Sequence, residues 1–98
     1  MPPTVSSDVR ITDIVYDFLI VEVLNPCLQH HSFFYTIINA NNQIVRKGSF
    51  SGIWVQLRLT HIKEGNYQFH LKDNEEYNFV FSFKKSTPSF EKLSLIMH

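Results

Sequence analysis

Residues 65–85 alternate apolar with polar side chains almost without interruption, and this period of two decides what the chain can become. In an extended backbone Tyr67, Phe69 and Leu71 point one way, and Gln68, His70 and Lys72 point the other. After the acidic turn "DNEE", Tyr77, Phe79, Phe81 and Phe83 alternate in the same way with Asn78, Val80, Ser82 and Lys84. A helix would scatter both sets around its circumference, so the stretch reads as an aromatic-rich hairpin. Gly65, one of three glycines in the chain, stands at the corner before it. There it supplies a positive φ at no steric cost.

The same period runs upstream. "VRITDIV" (9–15) reads as a strand, Tyr16-Asp17 as a turn, and "FLIVEVL" (18–24) as a strand buried on both faces or packed centrally. Asn25-Pro26 ends it, because proline has no N–H for the ladder. In "SFFYTIIN" (32–39) Phe33, Tyr35 and Ile37 oppose Phe34, Thr36 and Ile38. "IVRKGSF" (44–50) reads as a short polar edge strand guarded by Arg46 and Lys47. "WVQLRLT" (54–60) turns Val55, Leu57 and Leu59 inward and Trp54, Gln56, Arg58 and Thr60 outward. About seven strands with turns every 8–12 residues predict an all-β fold, an immunoglobulin-like antiparallel β-sandwich with strands A, B, C, C′, E, F and G. Tyr67 falls where such sandwiches place a tyrosine corner. The organisation expected is a flexible lead-in over 1–8, one β-sandwich over 9–85, and an apolar tail over 86–98.

Composition agrees and excludes. Aromatic residues are 14% of the chain and alanine occurs once, at Ala40, which favours strands over helices. Net charge is zero, so electrostatics gives no case for nucleic acid or an anionic membrane surface. No apolar run is long enough to insert into a bilayer, and Glu22 interrupts the one that resembles a signal sequence. An exported protein of this kind would have lost its signal peptide. A single cysteine, Cys27, leaves no intramolecular disulfide.

Candidate chemistry is sparse. His30-His31 fall in the B–C connection, His61 in the E–F turn at the opposite end, His70 on the outward side of strand F, and His98 at the end. A metal needs three or four converging ligands, and this spread predicts no metal and no cofactor. Cys27 is close in sequence to His30 and His31, but no helix N-terminus or cleft-forming loop is evident to stabilise an oxyanion. It reads as a small buried or half-buried thiol, and the chain as no enzyme. Asp73, Glu75 and Glu76 read as solvated turn residues. The outward aromatics Trp54, Phe34 and Phe18 are the surface features with most to offer, as a platform for a sugar or a grip on a protein. The alternative is that the tail packs over them, or that local bulges turn them inward.

Three segments, "YTIINANNQIV", "LRLTHIKEGNYQFHL" and "YNFVFSFKK", resemble the small secreted β-sandwich domains of unknown function of gut Bacteroides-type bacteria. Those domains are similar to the C-terminal sorting domains of type IX secretion. In the first segment Asn39 stands where the pattern has aspartate, and Asn42 where it has glycine. Leu57, Leu59, Gly65, Tyr67, Phe69 and Leu71 match the second segment, and the basic end of "FSFKK" the third. The resemblance spans residues 9–85 and implies a secreted, periplasmic or cell-surface protein without catalytic activity. In sorting domains the basic strand ends the chain, whereas thirteen residues follow Lys85 here, so a small stand-alone domain is the closer version.

The function expected is a non-enzymatic interaction module, with a carbohydrate-binding module as the alternative. Its partner is a protein or a glycan, met through Trp54, Phe34, Phe18 and the tail residues Phe90 and Leu93. The tail alternates at Leu93, Leu95 and Met97, although Phe90, Leu93 and Met97 also lie at helical spacing; it is expected to add a strand at a sheet edge, its own or that of a second molecule, the latter giving a homodimer.

Overall fold

The computed structural model describes residues 8–73 and 78–87. They form eight strands and one short 3₁₀ turn: β1 (Val9–Ile11), β2 (Ile14–Val15), β3 (Phe18–Val23), the turn Pro26–Leu28, β4 (Ser32–Asn39), β5 (Ile44–Ser51), β6 (Trp54–Arg58), β7 (Gly65–Asp73) and β8 (Asn78–Lys85). The strands make two sheets, ordered β1-β3-β6 and β2-β8-β7-β4-β5. All pairings are antiparallel except that of β2 with β8.

The two inner faces differ in kind. The three-stranded sheet contributes aliphatic side chains, among them Val9, Ile11, Leu19, Val21, Val23 and Leu57, all buried. The five-stranded sheet contributes rings: Phe33, Tyr35, Tyr67, Phe69, Phe81 and Phe83. Register pairs some of them directly. Phe33 lies opposite Phe50 and Tyr67 opposite Phe83, with ring centroids 5.4 and 5.5 Å apart, while Tyr35 stacks diagonally on Phe69 at 5.6 Å. Each such cross-strand contact adds roughly 0.5–1.5 kcal/mol beyond its buried area. Leu28, from the 3₁₀ turn, and Leu59 are fully buried as well.

Four expectations need correcting. Residues 9–15 are not one strand, because the chain changes sheets at Thr12-Asp13. Thr12 stays with β3, donating its N–H to Ile20 O and accepting from Ile20 N at Oγ1, while Asp13 O accepts from Lys84 N in the other sheet. The segment 18–24 is central in its sheet but buried on one face only, since Phe18, Ile20 and Leu24 face solvent. Strand β6 ends at Arg58, although Leu59 keeps the inward phase and bonds through its N–H to Asp17 O.

The fourth correction concerns β5, which spans eight residues and is not short. Arg46 does not guard its edge. It pairs with Ile37 on the inner side, donates from Nε to Tyr35 Oη (3.1 Å), and donates from Nη1 to Arg58 O (2.7 Å), which ties the two sheets together. A register shift between Ile37 and Ile38 leaves Ile44 opposite Ile38 and 61% exposed, although it shares parity with Arg46. One extra residue in a strand reverses the faces beyond it.

Gly48 belongs to the same cluster. It lies opposite Tyr35, and a Cβ there would sit 2.8 Å from Tyr35 Oη and 2.9 Å from a ring carbon. That ring is held by Phe69 on its face and Arg46 at its hydroxyl. Gly48→Ala is therefore expected to destabilise the fold by about 1–3 kcal/mol through overpacking. Urea unfolding measures this, and a loss under about 0.5 kcal/mol would mean the Tyr35 ring can step aside.

The turn between β4 and β5 explains the asparagines of "NANNQ". Asn39 Oδ1 accepts from the N–H groups of Asn41 and Gln43, as an aspartate would, and Asn42 holds the left-handed conformation with φ +62°. Asparagine tolerates that region better than other side chains, which is why it serves at a position suited to glycine.

Candidate interaction surfaces

The outer face of the three-stranded sheet is built in rows by its register. Arg10, Glu22 and Trp54 form one row, Ile20 and Gln56 the next, and Phe18 and Arg58 the last. Arg10 grips one Glu22 carboxylate oxygen from Nε (2.9 Å) and Nη2 (2.7 Å), a half-exposed pair worth little in stability but one that removes two charges from the face. Trp54 is 53% and Phe18 42% exposed, with Ile20 and Leu24 also open. Phe18 and Trp54 are four residues apart along the strands, about 13 Å.

Phe34 is on the other side of the molecule. It projects from the outer face of the five-stranded sheet, where it lines a shallow groove of about 270 Å³ with Thr36, Ile38, His70 and Val80. The three outward aromatics are thus exposed, neither covered nor turned inward by a bulge as the alternative had it, and they are divided between two opposite faces. At the other end of that sheet a wider cleft of about 460 Å³ is mixed in character, lined by Asp13, Asn66, Ser82 and Lys84 together with the rings of Tyr67 and Phe83. Phe90 and Leu93 lie outside the described residues, as do Tyr77, Glu75, Glu76 and His98.

One pairing was not foreseen. Asp73 is the last residue of β7 and lies opposite Phe33, and its carboxylate, with no exposed surface, meets His31 Nδ1 at 2.5 Å. Asp73 is not the solvated turn acid expected from the sequence: the inward phase of β7 buries it, in step with Phe69 and Leu71. His31 follows the 3₁₀ turn, whose Asn25 cap accepts from Cys27 N (2.9 Å) and whose Leu28 is the residue driven inward. Cys27 is consequently exposed, contrary to the buried or half-buried thiol expected. His70 Nε2 contacts Gln68 Oε1 at 3.0 Å, and His30 and His61 are exposed. Among the described residues no three histidines, cysteines or carboxylates gather closely enough to hold a metal ion. None of the described elements is a helix long and apolar enough to cross a membrane.

The tyrosine corner is present. Tyr67 Oη donates to Lys63 O at 2.6 Å, closing the turn that Gly65, at φ +151°, lets into β7. Burial raises the Tyr67 phenol above its ordinary value of 10.0.

The backbone superimposes on the crystal structure of a DUF3244 family protein from Bacteroides vulgatus with a TM-score of 0.66, covering 80% of this chain and 84% of that one. That protein has an immunoglobulin-like β-sandwich fold. So does this chain. Sequence identity between the two is 12%, which carries the fold and nothing finer. No family model matches the sequence, and no curated protein matches it.

Proposed function

We propose that this β-sandwich is a non-enzymatic binding module of the cell envelope that takes up a protein partner by strand addition at β5. The observation that carries this reading is the β5 edge. Among the described residues the sheet edges are β1, β2, β5 and β6, of three, two, eight and five residues, so β5 is the longest by a wide margin. Its sequence-level guard is gone, since Arg46 is committed inward to Tyr35 and Arg58, and Lys47 alone keeps a charge on the outward side. A long edge without bulky protection is a template for an extended chain. The chemistry it fits is an extended segment with an apolar residue to meet the exposed Ile44 and small residues beside Ser49 and Ser51. An envelope address rests on the resemblance to small secreted domains.

A glycan reading has less support, because Trp54 and Phe18 lie on one face and Phe34 on the other, so the three rings cannot line one sugar. Hydrogen exchange distinguishes the two. The immobilised domain is loaded from envelope extract, washed and pulsed with deuterium. Strand addition slows exchange at β5 amides above all, whereas protection confined to β3 and β6 would displace the edge in favour of the Trp54 face.

A further inference from the structure

We propose that the outer face of the five-stranded sheet binds an acidic polysaccharide, carboxylated or sulfated, laid along β7 and β8 from Lys72 to Lys84. The charge on this face is one-sided. Register brings Lys47, Lys72 and Lys84 to its outward side, all exposed, and its described outward positions include no aspartate or glutamate. None of the three ammonium groups has a partner among the described residues. Asp13 reaches the cleft that Lys84 lines, at the margin where the chain enters β2, and forms no ion pair with it. On the opposite outer face, by contrast, Arg10 is neutralised by Glu22. A chain of zero net charge thus carries a cationic face that the total conceals.

The face is also shaped as a track. The groove beside Phe34 reaches Ile38, and the mixed cleft beside Lys84 reaches Gln68 and Ser82. Those three residues are neighbours in one row of the register, so the two depressions meet there. Lys72 and Asn66 are six residues apart on β7, and Lys84 lies opposite Asn66, which gives the track a length of about 20 Å. That is room for several sugar units.

Between the end lysines stand the amides and hydroxyls of Thr36, Gln68, Ser82 and Asn66, each able to donate to and accept from sugar hydroxyls. Phe34, 45% exposed at the Lys72 end, offers its ring to the apolar face of one sugar. Single-stranded nucleic acid asks for a succession of rings under its bases, and Phe34 is the one exposed phenylalanine, tyrosine or tryptophan on the described face. A planar anionic membrane would meet the lysines but not the floor of the track. The site needs no stacking by Trp54 or Phe18, and it is independent of strand addition at β5, which uses backbone groups.

Electrophoresis of the full-length protein through gels containing polygalacturonate or heparin tests this, with dextran as the neutral control. One or both acidic polymers should retard the protein relative to a plain gel, dextran should not, and added salt should relieve the retardation. Lys72→Gln with Lys84→Gln should weaken binding about tenfold, the order expected of two exposed charge contacts, and Lys72→Arg with Lys84→Arg should preserve it. Arg58→Gln with Lys63→Gln, which removes the same charge elsewhere, should leave binding unchanged. A second measurement needs no variant. In the parent protein, bound polymer should shield Lys72 and Lys84 from acetylation, read by mass spectrometry, and leave Lys63 in the β6–β7 turn as reactive as before. Free passage through both acidic gels overturns the proposal, as does binding that the Lys72/Lys84 glutamine variant keeps in full, or shielding that extends equally to Lys63. Tighter binding of oligothymidylate or of phosphatidylserine vesicles overturns it too, giving the face to nucleic acid or to membrane.

Discussion

Tyr67→Ala is expected to cost about 3–5 kcal/mol in urea unfolding, a large share of what holds a domain of this size together. The side chain is 8% exposed, stacks on Phe83, and closes the β6–β7 turn through its bond to Lys63 O. Truncation removes all three interactions and leaves a cavity in a core that relaxes only in part. Tyr67→Phe separates them: it keeps the ring and loses the hydroxyl's bond, for about 1 kcal/mol. The phenol also sets a pH dependence. Its folded-state pKa lies above the unfolded value because burial disfavours the phenolate. Its contribution is therefore complete below the unfolded pKa of 10.0 and is lost as pH rises through the folded one. Alkaline titration of stability should show that loss in the parent and a smaller one in Tyr67→Phe. An alanine variant within about 1 kcal/mol of the parent would remove Tyr67 from the core altogether.

His31→Ala is the second large effect, expected at about 2–4 kcal/mol near neutral pH. The Asp73 carboxylate has no exposed surface, and losing the imidazole 2.5 Å away leaves a buried acid short of one polar partner. The double variant His31→Ala/Asp73→Asn should recover part of the loss, because a buried amide costs less than a buried anion. A double-mutant cycle measures the coupling directly. Additive losses would mean that the pair contributes nothing beyond its separate packing.

These two sites differ in how far the sequence reveals them. The corner at Tyr67 is local: a glycine, one spacer and a tyrosine at the head of an alternating run are enough, because turn geometry and strand phase act over a few residues. The His31–Asp73 pair joins positions forty-two residues apart and depends on β4 and β7 meeting with Phe33 opposite Asp73. No local rule contains that register. What was legible was that β7 keeps Asp73 in phase with Phe69 and Leu71, a signal overridden by the usual association of acids with turns. Arg46 was misread for a related reason. A cation in an apparent edge strand suggests protection from solvent-side pairing, whereas the parity it shares with Gly48 and Phe50 already placed it inward. The outward phase of Trp54, Phe34 and Phe18 was legible from the alternation, but their exposure and their division between two faces required the sheet order.

The passage of the N-terminal strand from one sheet to the other has a mechanical consequence. Because β2 lies parallel to β8, a pull applied to the two ends of the described chain slides these neighbours along their common axis. The bonds Lys84 N to Asp13 O and Ser86 N to Val15 O then take the load together, not one after the other as in an unzipping hairpin. Extension by force is governed by the height of the unfolding barrier and not by equilibrium stability. A domain that holds a partner along one edge while tethered through its ends would thus resist tension at the small parallel clasp of β2 on β8, leaving the β5 edge unstrained.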